Sequence, residues 1–423
     1  VTHVLDELTA RGLLAQTTDE AALRRALDAG PVTFYVGFDP TAPSLHIGSL
    51  VQLLAARRLQ RAGHRPIILV GGATGLIGDP RPTAERQLND PAVVAGWVER
   101  IREQVLPYVS FDGPTAAMMV NNLDWTAPLT AIELLRDIGQ HFRVGKMLAK
   151  DAVATRLASD AGISYTEFSY QILQAYDYLH LLRTYGCTLQ TCGSDQWGNV
   201  TAGLDLIHRA DGRAAHALAT PLILKADGTK FGKTEAGTVW LDPALTSPYA
   251  FFQFWLQADD REVTAYLRVF TDLDEPALAD LDAQTAERPG ARAAQRTLAR
   301  EVTALVHGAP AAVQAEAAGT ALFGRGDLAS LDADTLAAAL AGAPTTVVGP
   351  GQEPTWAQLL VDTGLVASTS DARRTVKEGG AYVNNVRIED ALAAPAAGDW
   401  LHGRFLVLRR GRQHVAGAMR TSE

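Results

Sequence analysis

A chain of 423 residues, 47% hydrophobic and 20% charged, is long enough for two or three globular domains, each burying its own core. Its net charge of −9 argues against a uniformly basic nucleic-acid binder, and no run reaches the ~18 uncharged apolar residues of a membrane span. With no secretory leader pattern at the start and only Cys187 and Cys192, too few for a zinc cluster, a cytoplasmic protein with buried, reduced thiols is expected.

Residues 1–30 predict a lead-in helix with a cap-like start at Thr18, Asp19 and Glu20. The aromatic and β-branched run 32–38 predicts a buried strand, ended by Asp39 and Pro40. Ser44, Leu45, His46, Ile47, Gly48 and Ser49 then lead into a helix over 50–62 that Gly63 stops. A strand feeding a helix through a short turn offers unpaired N–H groups and a helix dipole to an anion. His46 adds an imidazole, and Gly48 lets a ligand approach the backbone. Read alone, this is equally an ordinary βα corner with a surface histidine.

The run 65–71 predicts a second strand, and strands alternating with helices imply a parallel sheet with its ligand crevice at the strands' carboxyl ends. Next come four glycines within 71–80 and Asp79; no Gly-Lys-Ser/Thr follows, so this is no Walker A loop. Asp79, at a strand's carboxyl end, is a candidate for a ligand's cationic group. Residues 91–107 predict an amphipathic helix, 116–120 a strand, and 130–158 one or two helices inserted into the sheet fold.

On a helix expected over about 166–185, Tyr170, Gln174 and Asp177 stand at i, i+4 and i+7 and share one face. Such a stripe either faces solvent or lines a pocket whose polar ligand supplies the missing partners. A strand over 188–192 turns through Gly193, Asp195, Gln196 and Asn199 into a helix at 200–209, giving a second polar corner. A strand is expected at 221–224, followed by a loop with Lys225, Lys230, Lys233 and Thr234. Ammonium groups on a closing loop suit the charge of a polyphosphate leaving group. Beyond it lie a helical stretch, a Gly/Pro-rich linker and a small module with a hairpin near 381–388. Residues 400–422 hold five arginines and no carboxylate, which makes this end either a polyanion contact or a solvated tail.

In combination these stretches resemble the bacterial tyrosyl-tRNA synthetases over nearly the whole chain. His46, Ile47, Gly48 and Ser49 match the His-Ile-Gly-His signature of class I synthetases, and 230–234 (Lys-Phe-Gly-Lys-Thr) match their Lys-Met-Ser-Lys-Ser loop. The segments 35–41 and 193–199 and the Tyr170/Gln174/Asp177 face strengthen the match, and 370–384 resembles a ribosomal-protein-type RNA-binding module.

The resemblance implies an α/β fold: a Rossmann-like parallel-sheet catalytic domain, an α-helical domain and a small α+β RNA-binding domain. The expected boundaries are 1–245 for the catalytic domain, with a dimerisation segment at about 120–165 and the lysine loop at 225–235. An anticodon-binding helical domain at 246–340, a linker at 341–354 and an independently moving RNA-binding domain at 355–423 follow. The implied activity joins tyrosine to ATP, giving tyrosyl-adenylate and pyrophosphate, and then passes tyrosine to the terminal adenosine of its tRNA. ATP enters with Mg²⁺ as a substrate; no resident metal or tightly bound cofactor is expected, and the partners are tyrosine, ATP, the tyrosine tRNA and a second copy of the chain.

Residue by residue, the resemblance places Tyr35 and Asp177 on the phenolic hydroxyl, Asp79, Tyr170 and Gln174 on the α-ammonium group, and Gln196 near the carboxylate. Thr41, His46 and Ser49 fall at the ATP phosphates with Gly48 beside them, and Asp39 and Asp195 on the nucleotide side. Lys230, Lys233 and Thr234 close over pyrophosphate, with Arg86 approaching. RNA contacts are implied for Arg373, Arg374, Lys377, Arg409, Arg410 and Arg412.

Two departures stand out: Ser49 replaces the second signature histidine while keeping a hydrogen-bond donor, and the loop after Asp79 lacks a lysine that Arg81 is the candidate to replace. Three alternatives stay open, namely a tryptophan-specific relative, a nucleotidyltransferase that uses no RNA, and a non-catalytic RNA-binding protein on this scaffold. Tyr35 and Asp177 argue against the first, the basic end against the second, and the intact pocket residues against the third.

Overall fold

The computed structural model describes residues 2–80, 88–159, 162–224, 231–234, 237–411 and 414–421. The chain divides into two compact units, Val1–Asp242 with Thr264–Leu278, and Pro243–Val263 with Ala279–Glu423.

The first unit is built on a six-stranded sheet: β1 (Gln16–Thr17), β2 (Thr33–Phe38), β3 (Arg65–Val70), β4 (Met118–Asn121), β5 (Leu189–Gly193) and β6 (His216–Thr220). Spatially the order is β1-β6-β5-β2-β3-β4, every pairing parallel except β1 with β6. Apart from Thr33, Gly37 and Arg65, the residues of β2 and β3 are apolar and buried, as strands covered on both faces must be. From β2 the chain moves to β3 on one side, while β5 lies on the other. The strand order therefore reverses between β2 and β5, and a crevice opens at their carboxyl ends.

Helices α1 (Ile47–Arg61), α2 (Pro91–Val105), α3 (Tyr165–Tyr185) and α4 (Trp197–Asp211) cover the sheet. α1 begins three residues before the sequence expectation, because His46 itself serves as its N-cap. Ser164 caps α3, and Gly186 ends it in the left-handed conformation at φ +66°. The inserted segment is short helical pieces, tied to α3 by a buried Arg156–Glu167 pair at 3.0 Å. The strand expected at 221–224 is a correction: the sheet strand is β6, at 216–220. Its His-Ala-Leu-Ala-Thr sequence has only one β-branched residue, which hid it, while the apolar 222–224 run lies outside the ladder.

In the second unit, α5 (Pro248–Leu256), α6 (Ala293–His307), α7 (Ala309–Ala321) and α8 (Ala333–Leu340) precede a five-stranded sheet. Its strands are β7 (Thr345–Val348), β8 (Ala381–Val383), β9 (Val386–Arg387), β10 (Phe405–Arg410) and β11 (His414–Arg420). The expected linker at 341–354 thus contains a strand: β7 pairs in parallel with β11, Gly417 opposite Thr345. The last domain, expected to move independently, packs against the helical part. Alternate residues of β10 face opposite ways, so Leu406 and Leu408 join Trp356, Leu359 and Leu360, whereas Phe405 and Val407 pack with Leu322, Leu336 and Leu340 of the helical part.

Candidate active site

The β2/β5 crevice opens into a cavity of about 880 Å³. Its lining includes Tyr35, Asp39, Thr41, His46, Gly48, Ser49, Asp79, Tyr170, Gln174, Asp177, Asp195 and Gln196. The structure therefore gathers into one cavity residues drawn from β2, the α1 corner, the loop after β3, α3 and the α4 corner.

At the apolar end, Tyr35 and Asp177 are each 2% exposed. The Tyr35 ring stands edge-on to Tyr178, with centroids 5.3 Å apart, and its hydroxyl is buried with no protein partner. Asp177 accepts from Trp125 Nε1 at 2.8 Å and from Asn122 Nδ2 at 3.0 Å. Burial pushes the Asp177 carboxyl up to about 7 against the pull of these two donors, and raises the Tyr35 phenol well above its usual range. The Gln174 carboxamide oxygen is a second buried acceptor without a protein partner.

A continuous polar chain crosses the floor. Tyr170 Oη donates to Asp39 Oδ2 at 2.6 Å, and Thr74 Oγ1 donates to Asp39 Oδ1 at 2.6 Å. Asn122 Nδ2 in turn reaches Thr74 Oγ1 at 3.0 Å, so Asp39 and Asp177 are joined through Thr74 and Asn122. Asp39, expected on the nucleotide side, also holds Tyr170, expected on the ammonium side. Gly71 makes this approach possible, since a Cβ there would stand 2.1 Å from Asp39 Oδ1. Opposite, Asp79 accepts from Gln196 Nε2 at 2.9 Å and from Asn199 Nδ2 at 3.2 Å.

At the corner of α1, His46 Nδ1 accepts from the Gly48 N–H at 3.0 Å. With Nδ1 engaged as acceptor, the neutral ring carries its hydrogen on Nε2, a donor. Gly48 was expected to admit a ligand; its nearer task is the ring itself, because a Cβ would lie 2.7 Å from His46 Cε1. The stretch after the lysine loop is joined to this corner. Ile47 N donates to Val239 O at 3.3 Å, Leu241 N to Leu45 O at 2.9 Å, and Val239 N to Gly232 O at 2.9 Å. The Phe231 ring packs on Tyr266, with centroids 4.4 Å apart.

Lys230, Arg86 and Arg412 lie outside the described residues, as do the side chains of Lys233 and Thr234, whose backbone pairs with Gly237–Thr238. Away from the cavity, Arg373, Arg374 and Lys377 are exposed on the helix Thr369–Lys377. Arg409 is different: it is buried, its guanidinium 4.3 Å over the Tyr382 ring, while Arg410 donates to Leu365 O at 3.1 Å. Arg409 follows Phe405 and Val407 onto a covered face of β10, whereas Arg410, the last residue of the strand, is exposed, so Arg409 is not presented to a polyanion. Among the described residues, no group of three or more His, Cys, Asp or Glu is placed to hold a metal. The sequence reading missed Thr74, Asn122 and Trp125. Asn122 directly follows β4 at its carboxyl end, the position where crevice residues collect, and that was the available signal.

The comparisons with known proteins agree with this geometry. Residues 27–324 match the family described as tRNA synthetases class I (W and Y), and 335–416 match a tyrosine–tRNA ligase C-terminal domain. A tyrosine–tRNA ligase of Streptomyces coelicolor is 64% identical over 418 residues, covering 98% of each chain. That of Acidothermus cellulolyticus is 60% identical over 424 residues, covering 99% of this chain and all of its own. A C-terminally truncated mitochondrial tyrosyl-tRNA synthetase of Coccidioides posadasii superposes with a TM-score of 0.66 at 31% identity, over 74% of this chain and 91% of its own. The chain belongs to the class I tRNA synthetases, in their tyrosine–tRNA ligase family.

Proposed function

We propose that this chain activates tyrosine with ATP in the β2/β5 cavity and transfers it to the tyrosine tRNA. The observation that carries the reading is the buried Tyr35 hydroxyl without a protein partner, in the same apolar end as the buried Asp177. A phenol entering there donates to the Asp177 carboxylate and accepts from Tyr35. Phenylalanine would leave the Tyr35 hydroxyl unpaired and give the buried Asp177 carboxylate no donor beyond Trp125 and Asn122, which is how a site built around a hydroxyl rejects the analogue lacking one.

The substrate's ammonium group falls to Asp79, the Gln174 carboxamide oxygen and Tyr170, and its carboxylate lies near Gln196. ATP, taken as its magnesium complex, lies along Asp39, Thr41, Ser49 and Asp195, with Gly48 beside it and His46 Nε2–H donating to its phosphates. The tyrosine carboxylate attacks the α-phosphorus in line, the bond to the bridging oxygen breaks, and pyrophosphate leaves. No protein nucleophile is needed, because positioning and stabilisation of phosphoryl charge lower the barrier. Lys230, Lys233, Thr234 and Arg86 are the groups proposed to neutralise the leaving pyrophosphate. A ribose hydroxyl of the terminal adenosine then displaces AMP from the adenylate.

The proposed assembly is a cytoplasmic homodimer. Ile132, Leu135, Val144, Leu148 and Leu157 are exposed apolar side chains in the inserted segment, and that exposure supports the reading. Arg373, Arg374, Lys377 and Arg410 are proposed to meet RNA in the last domain, after an anticodon-binding helical domain.

The test is ATP–pyrophosphate exchange with tyrosine, tryptophan and phenylalanine in parallel, followed by charging of the tyrosine tRNA. Exchange with tyrosine alone is expected. Exchange with tryptophan alone would move the chain to the sister specificity, and none with any amino acid would leave RNA binding as its function.

A further inference from the structure

Lys150, at the N-cap of the short helix Asp151–Leu157 in the inserted segment, lies behind the cavity-lining residues Asp79 and Gln196. Its Nζ donates to Asn199 Oδ1 at 2.8 Å. That bond decides which way the Asn199 amide faces, since an ammonium group can only donate. With Oδ1 turned to Lys150, Nδ2 donates to Asp79 Oδ1 at 3.2 Å and to Gln196 Oε1 at 3.0 Å. Gln196 is thereby oriented as well, and its Nε2 donates to Asp79 Oδ2 at 2.9 Å. Reversing the Asn199 amide would set an oxygen against the Asp79 carboxylate.

We propose that Lys150 is a positioning residue for the amino-acid subsite: through Asn199 and Gln196 it fixes the Asp79 carboxylate as the acceptor for the substrate's ammonium group. It touches neither substrate nor reacting atoms. The charged group facing it is Asp79, whose attraction opposes the burial that lowers the Lys150 ammonium to about 8. Lys150 also belongs to the segment proposed to form the dimer contact, so the amino-acid subsite and that contact share one short piece of chain. The inference rests on the reading in which Asp79 holds the ammonium group.

The test uses full-length Lys150→Met, Lys150→Arg and Asp79→Ala in ATP–pyrophosphate exchange. Alongside KM and kcat for tyrosine it measures competitive inhibition by 3-(4-hydroxyphenyl)propanoate, which keeps the phenol and carboxylate and lacks the amino group. Lys150→Met is expected to raise the tyrosine KM about tenfold, the scale of one charge-assisted hydrogen bond, without weakening the inhibitor. Lys150→Arg is expected to recover most of the loss. Asp79→Ala is expected to raise KM further and again spare the inhibitor.

If Asp79→Ala behaves so while Lys150→Met leaves the tyrosine KM unchanged, the lysine's role is overturned and the ammonium reading survives. If Asp79→Ala leaves tyrosine binding untouched, that reading falls and the proposal with it. Lys150→Met weakening tyrosine and inhibitor alike, or raising only the KM for tRNA, also overturns it.

Discussion

Asn122 holds Asp177 through one amide hydrogen and Thr74 through the other, both at 3.0 Å. Its own oxygen accepts from the Ala73 N–H at 2.7 Å, so the loop after β3 locks the amide in place. A carboxylate buried this deeply is kept available to a phenol by the donors around it. Asn122→Ala removes one donor, leaves Trp125 as the other, and drives the Asp177 carboxyl higher. We expect the tyrosine KM in pyrophosphate exchange to rise by about tenfold or more, with the ATP KM little changed. Equal loss for both substrates would count against this account.

The elevated Asp177 carboxyl also sets a pH dependence. Held at about 7 instead of the ordinary 3.8, the group takes up a proton on folding between those values, so its contribution to stability is full below about 4 and is lost as pH rises through about 7. Asp177→Asn should flatten that part of the stability curve, measured by urea unfolding at fixed pH steps. Tyrosine binding runs the opposite way. The phenol needs an ionised acceptor, so kcat/KM for tyrosine should fall below about pH 7, while a KM for ATP measured at saturating tyrosine should not follow it.

Tyr35→Phe separates stability from function. The Tyr35 hydroxyl is buried without a protein partner, a state that costs folding free energy until a ligand fills it. Removing it should raise the Tm of the ligand-free protein by one to a few degrees, on the order of 1 kcal/mol. The same variant should lose about tenfold in kcat/KM for tyrosine and discriminate less against phenylalanine. A lower Tm together with unchanged kinetics would contradict both halves.

Gly48→Ala tests the α1 corner. Alanine is the better helix former, so propensity alone forecasts a small gain in stability. The added methyl group would meet the His46 ring at 2.7 Å and break the Nδ1 cap, which in the proposed reading aims Nε2 at the phosphates. We expect kcat for adenylate formation to fall at least about a hundredfold, with tyrosine binding measured by equilibrium dialysis unchanged.

Much of the first unit was legible because its signals were strong and local. The run 32–38 became Thr33–Phe38, 65–71 became Arg65–Val70, and the helix expected over about 166–185 is Tyr165–Tyr185. The i, i+4, i+7 face of Tyr170, Gln174 and Asp177 does turn into the cavity, because hydrophobic neighbours such as Leu179 and Leu182 fix the rotation of the helix. What stayed hidden depended on contacts distant in sequence. Nothing local says that Tyr170 will meet Asp39, that Asn122 will fasten Asp177, or that Lys150 will reach Asn199. Arg409 illustrates the limit differently: a basic run reads as surface, yet one of its members lies over the Tyr382 ring, because both faces of β10 are covered.

The two-sided packing of β10 has a consequence for any attempt to divide the molecule. A fragment starting at 355 would lack β7, leaving β11 with a bare edge, and would open to water the face carrying Phe405 and Val407. An unpaired strand next to exposed apolar side chains is a template for self-association. The complementary fragment, ending at 340, would uncover Leu322, Leu336 and Leu340. The Gly/Pro-rich stretch that invites a protease cut by composition is therefore a poor place to make one, and the two halves belong to a single solubility unit.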